Sequence, residues 1–179
     1  MFNSEIVTAM VMAMKRTSST IAISFRVNTS AADTFTQSQV DLSLSPLDNE
    51  VFVVEAIDLD VAPPTAIAAT DTSVTGSLSS TSLTAVGQLD NTNVLARKEL
   101  AIRAAGFLDG GVSFESGSLE SPPTQLQFLG VIATNDFFIQ CDSTNTGVVR
   151  SMTGKLYGYR AKADAATYAA LVQSEVLSA

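Results

Sequence analysis

The side chains of this sequence that could do chemistry are mostly carboxylates. Asp58 and Asp60 flank Leu59 and so point to one side of a strand, where with Asp71 or Asp90 they would offer oxygen ligands to Ca²⁺. The regular ligand spacing and glycine of a calcium loop are missing around them, so solvated acids at a strand end are the plainer reading. Glu55 with Glu99 or Glu115 would supply a glycosidase pair, but that chemistry depends on a carboxylate separation that no sequence specifies. Met152-Thr153-Gly154-Lys155 resembles the end of a phosphate-binding loop, yet the motif needs Gly at 149 and Ser or Thr at 156, where Val149 and Leu156 stand. Cys141, the only cysteine, sits in the apolar run Phe137-Phe138-Ile139-Gln140-Cys141 and reads as a small buried hydrophobe with no role.

The types that are missing matter more. The 179 residues include no histidine and no tryptophan, while serine and threonine take 40 positions (21 + 19). Most acid-base and acyl-transfer chemistry near neutral pH uses imidazole, and most zinc sites need His or several Cys. The sequence therefore points away from catalysis, and no cofactor and no metal ligand set is expected. Tyr157 and Tyr159 share one face of a strand, with Gly158 between them on the other. They could form a stacking platform for a sugar, but tyrosines packed under a terminal helix or at a subunit contact are the favoured reading, since Tyr suits half-buried seams with its hydroxyl at the wet edge.

The net charge of −8 is unevenly spread. Residues 1–30 carry Lys15, Arg16 and Arg26 against Glu5, and residues 145–179 carry Arg150, Lys155, Arg160 and Lys162 against Asp164 and Glu175, so each end is +2 and residues 31–144 hold −12. The acidic balance gives no strong nucleic-acid signal, because that task needs a concentrated basic face. Scattered solvated cations are the favoured reading of the basic ends, and the narrower one is that the two termini share a face and touch something anionic, the acidic body of a neighbouring copy included.

These residues must be held by elements whose periods are legible. Ile6, Val7, Met10, Val11 and Met14 fall on one helical face with Asn3 or Ser4 as cap, which predicts a short amphipathic arm over residues 1–17. The flanking charges are the reverse of a secretory signal, and the stretch is too short to span a bilayer, so no transmembrane segment is expected. From residue 18 the period becomes two. Ile21, Ile23, Phe25 and Val27 mark one strand, and Val40, Leu42 and Leu44, ended by Pro46, a second. Val51 to Leu59 is apolar on both faces at its start and should be a central strand covered on both sides. Residues 61–93, rich in Ser and Thr, read as short strands joined by turns. Val94 to Ala105 suits a short helix stopped by Gly106, although Leu100, Ile102 and Ala104 would equally line a strand. Strands follow within Val112 to Phe114, Gln125 to Ala133, Phe137 to Cys141 and Val148 to Ala161. Asp164 then caps a last helix over 164–179 with the stripe Tyr168, Leu171, Val172 and Val176.

Short strands, frequent turn residues and no strand-helix alternation predict an all-β antiparallel two-sheet sandwich of jelly-roll type, with about eight strands, in a single domain over 18–163 flanked by the two helices. With its amphipathic arm before Ile21, its Ser/Thr-rich loops over 65–93 and no catalytic set, the chain resembles the single jelly-roll coat proteins of icosahedral viruses. The resemblance implies a capsid subunit in a virion, with copies of itself and other coat proteins as partners, and the arm and last helix at subunit contacts, with Ile6, Met10, Met14, Tyr157, Tyr159 and Tyr168 as contact residues. The arm lacks the strongly basic character of many such proteins, so direct genome contact is not implied. A lectin-like or adhesin module and a filament subunit are the alternative readings. Without histidine, an imidazole switch of assembly between about pH 5 and 8 is not expected.

Overall fold

The computed structural model describes residues 14–106, 112–117 and 127–177. Among them are ten strands: β1 (Lys15–Arg16), β2 (Ile21–Asn28), β3 (Thr36–Asp41), β4 (Glu50–Val61), β5 (Thr72–Ser79), β6 (Val94–Arg103), β7 (Val112–Gly117), β8 (Gly130–Ile132), β9 (Asp136–Thr144) and β10 (Ser151–Lys162). One helix, α1 (Ala165–Leu177), follows. All pairings are antiparallel. In the first sheet β10 has β4 on one edge and β2 followed by the short β1 on the other, with β8 beyond β4. The second sheet runs β3-β9-β5-β6-β7.

The pairs are nested. β2 lies against β10, β3 against β9, β4 against β8 and β5 against β6, so the first long strand meets the last and successive couples step inward along the chain. A double-stranded ribbon wound in this way over two sheets is a jelly roll, and the all-β two-sheet sandwich expected from the sequence is the observed fold.

Hydrophobic alternation explains which sheet face is buried. Phe25 and Val27 of β2, Val74 and Leu78 of β5, Phe137, Ile139 and Cys141 of β9, and Met152 and Leu156 of β10 fill the space between the sheets. Phe25 meets Phe137 edge-on with ring centroids 5.8 Å apart. β4 changes phase along its length. Phe52 and Val54 point inward, then Ile57, Leu59 and Val61 do, because the ladder with β10 skips Glu55: Tyr157 pairs with Ala56 and the next residue, Gly158, with Val54. One extra residue moves every later side chain to the other face. In the first half of β4 the outward residues, Val51 and Val53, are also fully buried, in a second apolar cluster. The prediction of a central strand covered on both sides holds there.

Three expectations need correction. Residues 94–103 are strand, not helix. The alanines, leucines, lysine and glutamate of this stretch favour a helix in isolation, but its backbone is claimed on both edges, by β5 over Thr72 to Ser79 and by β7 over Val112 to Gly117. The second strand ends at Asp41 rather than running to Leu44, and Leu42 and Leu44 enter the core from the following loop. Within residues 61–93 there is one strand, β5, besides the end of β4, and residues 80–93 form a long loop. The helix expected in the arm lies outside the described residues, as do Ile6 and Met10. Immediately after it, Lys15 and Arg16 pair with Lys162 and Ala161 at the end of β10.

Gly154 and Gly158 of β10 face inward where rings lie flat on the backbone. A Cβ on Gly158 would stand 2.2 Å from the Val53 carbonyl oxygen and 2.5 Å from the Phe52 ring, and one on Gly154 would stand 2.4 Å from the Asp58 oxygen and 2.6 Å from Phe25. Neither backbone oxygen can move without breaking the ladder. Gly158→Ala is expected to destabilise the fold by about 1–3 kcal/mol in urea unfolding, the usual cost of overpacking, and an unchanged midpoint would show that β10 does not sit this close to Phe52.

Candidate interaction surfaces

Three surfaces outside the main core carry specific polar chemistry. The first is the seam of α1. Asp164 caps the helix, accepting from the backbone N–H groups of Ala166 (3.0 Å) and Thr167 (2.9 Å), as its residue type predicts. Tyr168, Leu171 and Val172 then pack on Val51, Val53, Ala133, Ala161 and Ala163, with Met14, Phe128, Val131 and Tyr159 in the same cluster. The stripe does not continue to Val176, which is 60% exposed. Its next turn is Glu175, buried and reaching past the cluster to accept from the backbone N–H groups of Ala133 and Thr134, each at 3.0 Å. Burial pushes the Glu175 carboxyl up from its ordinary value, the two backbone bonds oppose this, and the charge of Asp136 adds to the rise.

The second surface is the outer side of β3, β9 and β5, over which the 80–93 loop folds back as a strap. Gln37, Gln140 and Ser77 lie in one row across the three strands. The Gly87 N–H donates to the Ser77 hydroxyl (2.9 Å), which donates to the Gln140 side-chain carbonyl (2.7 Å). The Gln140 amide then donates to Ser79 Oγ (2.7 Å) and to the Gln37 carbonyl (3.1 Å), which also accepts from the Leu83 N–H (2.8 Å). Gln37 donates to Ser82, and Ser79 to the Thr81 carbonyl. Ser77, Ser79 and Gln140 are buried on what would otherwise be a solvent face. The strap is therefore held by a connected row of donors and acceptors.

The third is the end of the sandwich formed by the β2–β3, β4–β5, β6–β7 and β9–β10 loops. Asp33 accepts from the Thr146 N–H (2.7 Å), the Thr146 hydroxyl (3.0 Å) and the Gly147 N–H (3.2 Å). Burial pushes its carboxyl up, but those bonds and the nearby Arg150 charge together outweigh this and hold it below the ordinary range. Asp71 accepts from the Ala105 and Ala104 N–H groups, the main causes of its lowered pKa, and pairs with Arg103. Thr65 donates to the Thr146 carbonyl, so all four loops are tied together.

The other residues singled out in the sequence are dispersed. Asp58 and Asp60 are exposed on the outer face of β4, in register with Lys155 and Thr153, and Asp71 is committed to its clasp. Among the described residues no group of three or more His, Cys, Asp or Glu lies close enough to hold a metal ion. Glu55 sits in the first sheet against Arg16 and Thr20, and Glu99 in the second against Arg97. Cys141 is fully buried, and burial with help from Asp142 pushes its thiol up to about 11, which leaves it an inert core residue. Tyr157 is half-buried. Tyr159 belongs to the α1 cluster and carries the Arg16 guanidinium 4.1 Å above its ring centre, so its chain already occupies it. No described helix is long and apolar enough to cross a membrane.

Gln140, Ser77, Ser79 and Glu175 went unmarked in the sequence. The signals were there: a glutamine between two core residues of β9, and a glutamate at the i+7 position of the stripe begun by Tyr168. Compared with known proteins, the chain matches no family model and no curated relative. The fold and these surfaces define its class, a jelly-roll sandwich with a strapped sheet and a helix-covered sheet.

Two outcomes follow. Gln140→Leu leaves Ser77, Ser79 and Gln37 short of partners and is expected to cost about 1–3 kcal/mol, with amide exchange of residues 80–93 accelerated before the core responds; exchange unchanged in the strap would refute its polar attachment. Glu175 has the opposite pH sign to Asp33 and Asp71. A raised carboxyl contributes its stability fully below its ordinary value of 4.5 and loses it as pH rises through the higher folded value, whereas the two lowered aspartates contribute above about pH 4 and lose it on acidification. Melting temperatures of wild type and Glu175→Gln across the acid range should show the wild type losing ground to the variant as pH rises; parallel curves would contradict the assignment.

Proposed function

We propose that the chain is a non-enzymatic structural subunit that assembles with copies of itself into a shell, of the kind built by single jelly-roll capsid proteins, and that its place is the virion. The observation that carries this reading is the nested topology, first long strand against last, with loops clasped at one end by Asp33 and Asp71 and a helix pinned across one sheet by Glu175. Jelly rolls serve as capsid subunits, as lectins and as metal-dependent cupins. The cupin use is disfavoured by a chain without histidine. The lectin use asks for exposed flat rings, and of the tyrosine pair the one in the α1 cluster is capped by Arg16. A rigid block with its loops tied down suits tiling, where each copy must present the same surfaces.

Negative-stain microscopy and light scattering of the purified chain test this. Uniform closed particles, or their oligomeric building blocks, are expected as concentration rises. A monomer at every concentration and salt would overturn the proposal.

A further inference from the structure

The nested topology brings the two basic ends of the chain together. β2 and β10 are neighbours, so Arg26, near the start of the chain, lies beside Arg150 and Lys155, near its finish. Of the described arginines, Arg16, Arg97, Arg103 and Arg160 each have a carboxylate at 2.7–3.8 Å. Arg26 has none within 4.0 Å among the described residues and donates to Asn28 beside it, whereas Arg150 donates to Thr65 and its charge already acts on Asp33. Arg26 and Arg150 line one groove of about 280 Å³, with Asn28, Ala62, Val149 and Ser151. Val149 and its neighbour Val148 are 55% and 49% exposed, a pair of apolar side chains at the rim.

The groove opens onto the half of the first sheet's outer face that lies away from the α1 cluster. Register orders that half in rows: Ser24, Lys155 and Asp58 in one, Arg26, Thr153 and Asp60 in the next. Cations therefore stand on β2 and β10 and exposed carboxylates on β4, roughly 10 Å away across two strand spacings. A face with positive charge along one side and negative along the other is complementary to itself under a two-fold rotation.

We propose that this half-face is a contact between two copies of the chain, with Arg26 of each copy meeting Asp60 of the other and Val148 and Val149 closing the apolar rim. The inference rests on the self-assembling reading and names the surface it uses. Charge fixes the register of such a contact and makes it sensitive to salt. Arg26 then gains a carboxylate partner, and the outward carboxylates of β4 acquire a use that needs no metal.

Charge exchange tests it by sedimentation velocity on the full chain. Arg26→Glu and Asp60→Arg are each expected to weaken self-association by about tenfold or more, and their combination is expected to restore it, because the reversed charges meet again across the two-fold. Should Arg26→Glu fail to fold by circular dichroism, Arg26→Gln and Asp60→Asn, which remove the charges of the same row without reversing them, are each expected to weaken association in the same assay. Wild-type assembly with folded single variants that associate normally, or a double variant that stays as weak as the singles, overturns the contact and leaves the shell reading standing. A wild type that never associates overturns both.

Discussion

The structure hangs on the two ladders of β10. This strand pairs along its length with β4 on one edge and with β2 and β1 on the other, and so joins the two ends of the described chain within one sheet. Ile21 finds its partner in Gly158, and the entropy of closing so long a loop is repaid only once the rest of the sandwich has formed. Folding of such non-local pairings is slow and cooperative, because no early hairpin contains the final contacts. The two glycines of β10 that accept the Phe25 and Phe52 rings show how tightly this strand is built into the core.

Around that ladder the sandwich is finished with polar fastenings beside the apolar seam of α1. Glu175 holds a helix to the turn between β8 and β9, Ser77, Ser79 and Gln37, joined by Gln140, hold a strap to the second sheet, and Asp33 and Asp71 close an end. Glu175, Asp33 and Asp71 accept from backbone N–H groups, and Gln140 joins the Ser77, Ser79 and Gln37 side chains, in places where an unmet donor costs more than a neutral bond gains. Such contacts specify a single arrangement of loops, which a collection of short Ser- and Thr-rich segments could not specify by hydrophobic burial alone. The same frame sorts the charges: Arg16, Arg97, Arg103 and Arg160 are paired with carboxylates locally, and Arg26 stands on the outer face of β2 beside Arg150.

Much of the architecture was legible along the chain. Alternation in Ile21 to Val27, the double-sided apolar start of β4, the cap at Asp164 and the burial of Cys141 all follow from residue type and period, since each depends on neighbours close in sequence. The stretch from Val94 was misread because its composition favours a helix while its position between β5 and β7 demands a strand, and only the partners settle that. The phase change at Glu55 was visible as a change of parity in the apolar residues, yet its meaning depends on the opposing Tyr157 and Gly158.

For the candidate surfaces the division is sharper. Composition alone determined that no imidazole chemistry is available, that both ends are basic and that the body is acidic, because counts and charges do not depend on conformation. Tertiary structure decided that Asp58, Asp71 and Asp90 do not converge, that Tyr159 lies beneath Arg16, that Gln140 is buried under a loop and that Arg26 stands beside Arg150. The reason is physical: a side chain's period reports which face it takes, whereas its partners are set by strand register across more than a hundred residues, and register is fixed by the packing of the whole core.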